Sequence, residues 1–136
     1  MLLRVQNTMS FSCILPRLWR VCGALIMATG TIMGALVAHL PEKDFAIGGR
    51  AIAHVAMNMQ MWHGLALILL GFIKAHAHRL LLIGGCGLLL GILLFCCSVY
   101  YTAFTGHHAA YMAPTGGSLL ILSWFALALG WTFENK

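Results

Sequence analysis

Charge is what this sequence has least of. Only 8% of its 136 residues are charged, and three of them are acidic. A soluble domain of ordinary composition holds about 25% charged residues. So few charges cannot solvate a globular surface, and the mean hydropathy of +0.91 points the same way. The class that remains is a polytopic membrane protein.

Other absences narrow the function. The five cysteines, Cys13, Cys22, Cys86, Cys96 and Cys97, include no Cys-x-x-Cys. Their number is odd, and three lie in one apolar run, where free thiols behave as small hydrophobes. A disulfide framework or a zinc site is therefore not indicated. No basic cluster carries interleaved aromatics, so the net charge of +5 does not read as a nucleic-acid footprint. No phosphate-cradling glycine loop occurs, and no Ser/His/Asp or Cys/His set has a recognisable local context. An enzyme is not indicated.

What the chain does have is long apolar runs. About 20 such residues cross a bilayer as a helix. Four spans fit, over residues 21–40, 51–73, 80–104 and 114–133. The expected fold is an all-α membrane protein, an antiparallel four-transmembrane-helix bundle. Residues 1–20 carry Arg4, Arg17 and Arg20 and no acid, and read as an interfacial segment. A signal peptide is the competing reading. However, the run 21–40 is long for a signal core and no small-x-small cleavage site follows it, so it reads as a retained first span. Residues 134–136 form a short tail.

Basic residues flank the spans unequally. Arg4, Arg17, Arg20, Lys74, Arg79 and Lys136 fall on one side, and Lys43 and Arg50 on the other. Six against two predicts that both termini face the cytoplasm, or the matrix in an organelle. The loops Pro41–Arg50 and Thr105–Ala113 then face outward.

Small residues mark helix contacts. Gly30, Gly34 and Ala38 lie four apart in the first span, and Gly87 and Gly91 in the third. Such stripes let helices approach closely. Pro114 opens the fourth span, where its missing N–H is tolerated in a first turn.

Polar residues inside the spans are the functional candidates. His63 sits near the centre of the apolar stretch Ala53–Gly71. Lipid makes an unsatisfied polar group costly, so His63 must face protein or water. Depth places it level with Thr29, Thr31 and Ser123, its expected hydrogen-bond partners. Gln60 lies three residues earlier, about 60° round the helix, and can share that internal face. His54 lies nine residues before His63, about 180° round. It belongs instead to a separate outer group with Asn58 and His39.

Imidazole and thioether suit copper, and paired histidines suit haem. His39, His54, Met57 and Met61, with Met112, His107 and His108 nearby, form the candidate set. No spacing among them is diagnostic, and no cofactor is expected. His76 and His78 read as solvated or facing headgroups.

Four segments carry a family resemblance: Gly34-Ala35-Leu36-Val37-Ala38-His39-Leu40, Gln60-Met61-Trp62-His63-Gly64-Leu65-Ala66-Leu67, Leu94-Phe95-Cys96-Cys97-Ser98-Val99-Tyr100, and Ala113-Pro114-Thr115-Gly116-Gly117 with Ser123-Trp124. In this order they resemble the signatures of the YgdD-like family, which includes a small mitochondrial transmembrane protein. The chain departs from that pattern at Trp62, where tyrosine is usual, at Cys96-Cys97 and at Ser123. The resemblance implies four transmembrane helices in an inner membrane, mitochondrial if the source is eukaryotic. The family was long classed as a domain of unknown function, so no reaction follows.

Three function classes then stand. One is a non-catalytic accessory or structural subunit that packs with itself or with other membrane proteins. The second binds haem, copper or quinone through His39, His54 and His63. The third is a small oligomeric transporter, since a single four-helix protomer is small for that task.

Overall fold

The computed structural model describes residues 2–73, 79–109 and 111–133, with side chains from residue 14 onward. Lys74, His76, His78 and the tail 134–136 lie outside the described residues, as does the side chain of Arg4. The elements are α1 (Leu2–His39), a 3-10 turn (Glu42–Asp44), α2 (Gly49–Leu70), α3 (Arg79–Thr105) and α4 (Met112–Thr132). No strand occurs among the described residues.

Three of these helices are long and apolar enough to cross a bilayer: α1 from Ile14 to His39, α3 and α4. The fourth, α2, has 22 residues, about 33 Å at 1.5 Å each, which is also a bilayer's thickness. Its histidines, Asn58 and Gln60 lower its hydropathy. The molecule is an all-α membrane protein built as an antiparallel four-helix bundle. Helix α2 packs between α1 and α3, and α4 lies against α3.

Facing pairs establish the antiparallel register. Along α1 and α2, Arg20 meets Gly71, Gly30 meets Gln60 and Met61, and Gly34 meets Met57. Along α3 and α4, Leu81 meets Gly130, Gly84 meets Leu127, Gly91 meets Leu120 and Phe95 meets Gly116. The core is largely apolar, and its buried polar side chains among the described residues are Gln60, His63, Ser98 and Ser123. Trp19, only 1% exposed, reaches from α1 across to Gly85 of α3, where a Cβ would occupy the indole's place. At the opposite end Val37, Phe45, Ala53 and Ala103 form a smaller cluster, with the Phe45 and Phe104 rings stacked 5.1 Å apart.

Two arginines latch the α1–α2 pair, one at each end. Arg20 of α1 donates from Nη1 to Gly71 O, the carbonyl that ends α2, at 2.9 Å. Its guanidinium lies 4.9 Å from the Phe72 ring centre. Arg50 opens α2 and donates to Val37 O and to Leu40 O, the last carbonyls of α1, and stands 4.7 Å over the Phe45 ring. The last carbonyls of a helix lack intrahelical donors and carry partial negative charge, so a cation there satisfies both deficits. Ring faces add a cation–π attraction.

The charge pattern places the start of the first span at Val21, after the arginines. Helix α1 itself runs through Arg17 and Arg20 without a break before Val21. Long basic side chains can extend their charge away from the apolar stem. Arg20 does so by binding the end of α2, and Arg17 is exposed. Pro16, inside the helix, is buried beside Gly71, which has no Cβ to obstruct its carbonyl.

The glycine stripe of α1 works differently from the sequence reading. A Cβ on Gly30 would lie 2.7 Å from Met61 Sδ, and one on Gly34 3.1 Å from Met57 Sδ. These glycines admit α2 side chains rather than the α2 backbone. The close backbone approaches along this pair are at Gly23, where a Cβ would lie 2.7 Å from Gly64 O, and at Gly71, where one would lie 2.7 Å from Pro16 O. Ala38 is exposed within the protomer, and Val37 fills the α1–α2 contact at that level. A four-residue step advances about 40° round a helix, so two steps carry Ala38 off the face that Gly30 occupies. Gly87 and Gly91 are buried against Ser123 and Leu120 of α4.

Candidate functional site: a polar centre within the bundle

Among the polar residues of α2, two turn inward. Gln60 is 7% exposed and His63 8%. Buried polar groups in an apolar setting must find partners, and both do, on different helices. Gln60 Nε2 donates to Ile26 O at 3.0 Å and to Thr29 Oγ1 at 2.8 Å, both on α1. Its Oε1 accepts from the Tyr100 hydroxyl of α3 at 2.8 Å. One carboxamide thus ties three helices with both of its donors and its acceptor in use.

His63 turns toward α4. Its Nδ1 lies 2.7 Å from Met59 O, one turn back in α2. A carbonyl only accepts, so Nδ1 carries the proton and donates. Its Nε2 then accepts from Trp124 Nε1–H at 3.2 Å, with the two ring centres 6.0 Å apart. The geometry defines a neutral imidazole with both nitrogens engaged.

These partners differ from the ones depth suggested. Thr29 is taken by Gln60, while Thr31 donates to Met27 O and Ser123 to Leu119 O, each within its own helix. Depth along a helix fixes the level of a side chain but not which neighbour it faces. Tyr100 and Trp124 are the polar residues that sequence reasoning left out. Both stand in the family-like segments, yet nothing in the sequence separates Tyr100 from Tyr101, which is exposed.

The candidate outer group does not close round an ion. His39, His54 and Asn58 are all exposed, as are His107, His108 and Met112. Met57 and Met61 lie with their sulfurs over Gly34 and Gly30, filling space between α1 and α2. Among the described residues no group of three or more His, Cys, Asp or Glu side chains comes together.

A cleft flanks the polar centre, lined by Thr29, Met33, Gln60, Cys96, Cys97 and Tyr100 among others, with a volume of about 230 Å³. Small-molecule sites are usually about 300–1,000 Å³, so this cleft is small for a cofactor. Several of its polar atoms are already engaged: Cys96 Sγ reaches Ala56 O at 3.5 Å, and the Tyr100 hydroxyl is held by Gln60.

The comparisons with known proteins match the membrane architecture. The chain is 34% identical over 121 residues to a UPF0382 membrane protein of Staphylococcus haemolyticus, covering 87% of this chain and 97% of that protein. It is 34% identical over 112 residues to one of Staphylococcus epidermidis, covering 80% and 90%. The bacterium Haemophilus influenzae supplies a UPF0382 membrane protein 27% identical over 105 residues, covering 76% and 84%. No solved structure matches the chain. The family model described as "Protein of unknown function (DUF423)" matches residues 33–117, a stretch that contains Gln60, His63 and Tyr100 of the polar centre. With most of its membrane domain inside that match, the chain belongs to the DUF423 family of membrane proteins, as the motif resemblance implied.

Proposed function

We propose that this protein is a non-catalytic structural or accessory subunit of a larger membrane assembly. The observation that carries this reading is how the buried polar groups of α2 are used. Gln60 is bonded to α1 and α3, and His63 to α4 and its own helix. Interhelical hydrogen bonds of this kind are glue, each worth roughly 0.6 kcal/mol on average. Side chains held this way support a fixed scaffold. The other polar residues within the α2 span, His54 and Asn58, face away from the protomer's core.

The assembly sits in an inner membrane with both termini on the cytoplasmic or matrix side, as the six-to-two distribution of basic residues supports. Reporter fusions at Lys136 and within Pro41–Arg50 are expected to read opposite sides. A common side for both would refute the orientation.

The role itself is tested by solubilising membranes in a mild detergent and identifying what co-purifies by mass spectrometry. A stoichiometric assembly larger than one protomer is expected. A lone monomer would overturn the proposal. So would a haem spectrum or tightly bound copper lost in His63→Leu, which would establish ligand binding instead.

A further inference from the structure

One face of α2 carries an asparagine at membrane depth and has no partner in its own bundle. The buried residues of α2 include Ala53, Ala56, Gln60, His63 and Leu67, all on one side. Asn58 falls almost opposite the centre of that side at 100° per residue. It stands about 14 Å along a helix about 33 Å long, so well inside the hydrocarbon region. Asn58 and His54 are exposed, and neither side chain has a hydrogen-bond partner among the described residues. Polar side chains at such depth almost always face protein or a water-filled cavity.

A second pattern runs along the same face. Ala51, Val55, Asn58, Trp62, Leu65 and Leu69 follow one another at alternating steps of four and three, and every one is exposed, Trp62 by 71%. Steps of four and three are the a and d positions of a heptad, the seam along which two helices pair. A single asparagine at such a position is a device that fixes register and partner number.

We infer that α2 of one protomer pairs with α2 of a second copy of this chain through the Asn58 face. Two copies inserted in the same sense can be related by a two-fold axis along the membrane normal. Identical residues then meet at identical depth. A carboxamide both donates and accepts, so Asn58 and its counterpart in the partner satisfy each other across that axis. An arbitrary partner would need its own polar group at this depth, whereas a second copy supplies one by symmetry. The inference deepens the association that the proposed function rests on. The two fail separately, because an accessory subunit can join other proteins through a different face.

The test uses the full chain in phosphatidylcholine–phosphatidylglycerol vesicles, tagged at its C-terminus with donor or acceptor fluorophores and diluted with lipid. Energy transfer between protomers is expected. Asn58→Leu should need about tenfold more protein per lipid to reach the same transfer, the effect of losing two reciprocal interhelical hydrogen bonds of average strength. Asn58→Gln, which keeps the carboxamide, should retain most of the association. In a chain freed of its own cysteines and treated with a copper–phenanthroline oxidant, Leu65→Cys should form a disulfide-linked dimer in membranes, whereas Ile121→Cys, on the exposed face of α4, should not. The dimer is overturned by protomers that stay monomeric at every dilution, by undiminished transfer in Asn58→Leu, by cross-linking through Ile121→Cys alone, or by Leu65→Cys linking to a different protein.

Discussion

Replacing Gly116 with alanine is expected to break the α3–α4 pairing, whereas the same change at neighbouring Gly117 leaves it intact. A Cβ on Gly116 would lie 2.5 Å from the backbone nitrogen of Phe95 and 2.9 Å from its Cα. Backbone atoms inside a helix cannot turn aside as a flexible side chain can. The two helices must separate along their whole seam, from Leu81 and Gly130 to this point. Overpacking of a close contact costs about 1–3 kcal/mol and more when the neighbour is rigid, so the loss here belongs at about 3 kcal/mol or above. On Gly117 the nearest atoms are Phe95 Cδ2 and Cε2, at 3.7 and 3.8 Å, an ordinary contact. There alanine should be neutral or stabilise by up to about 1 kcal/mol, because glycine is a poor helix former. Unfolding in mixed detergent, followed by circular dichroism, measures both. Equal effects at the two positions would show that α4 does not sit on α3 in this register.

Removing the Arg50 side chain should have the second largest effect. Arg50→Met abolishes the bonds to Val37 O and Leu40 O and leaves the last carbonyls of α1 without donors. It also abolishes the ion pair with Glu42, at 2.7 Å. The two kinds of loss differ in size. The Glu42 side chain is 68% exposed, and exposed pairs contribute about 0–1 kcal/mol. Charge-assisted bonds to carbonyls contribute roughly 1.5–3 kcal/mol each when buried, and less here because the Arg50 side chain is 28% exposed. Arg50→Met is therefore expected to destabilise by about 2–4 kcal/mol, and Glu42→Gln by less than about 0.5 kcal/mol. Arg50→Lys should recover only part, since an ammonium cannot present a planar fork to three acceptors. If Glu42→Gln proved as damaging as Arg50→Met, the ion pair and not the helix end would be the stabilising element.

These two residues show how far the sequence could be read. Four helices, their sequential packing and the inward turn of something polar at mid-depth all follow from hydropathy and from α2's interrupted apolar run. Both quantities average over many residues and tolerate local error. Contacts between individual residues depend on rotation about each helix axis, which hydropathy does not encode. Arg50 counted in the sequence only as a charge on the outer side, although its fork holds the end of α1. Gly116 stood in a family-like motif, but Gly30 and Gly34 drew the packing argument by their spacing. Tighter backbone contacts are at Gly23, Gly49, Gly71 and Gly116, where the spacing is unremarked. Partner choice for His63 was lost for the same reason. Three residues on from Gln60, the helix has turned its side chain from α1 and α3 to α4, and only the assembled bundle reveals Trp124 there.

The paired arginine latches also bear on how the chain is made. A helix as polar as α2 is a poor candidate to leave the insertion machinery alone. By the time it is synthesised, α1 is already present and offers Ile26 O and Thr29 to both Gln60 donors. Arg20 and Arg50 can close the two ends of the hairpin without any residue from the second half. What the hairpin leaves open on the two buried polar side chains is one acceptor on Gln60 and one on His63. Tyr100 arrives with α3 and fills the first, and Trp124 arrives with α4 and fills the second. The order of translation is thus the order in which the polar atoms of Gln60 and His63 can be satisfied.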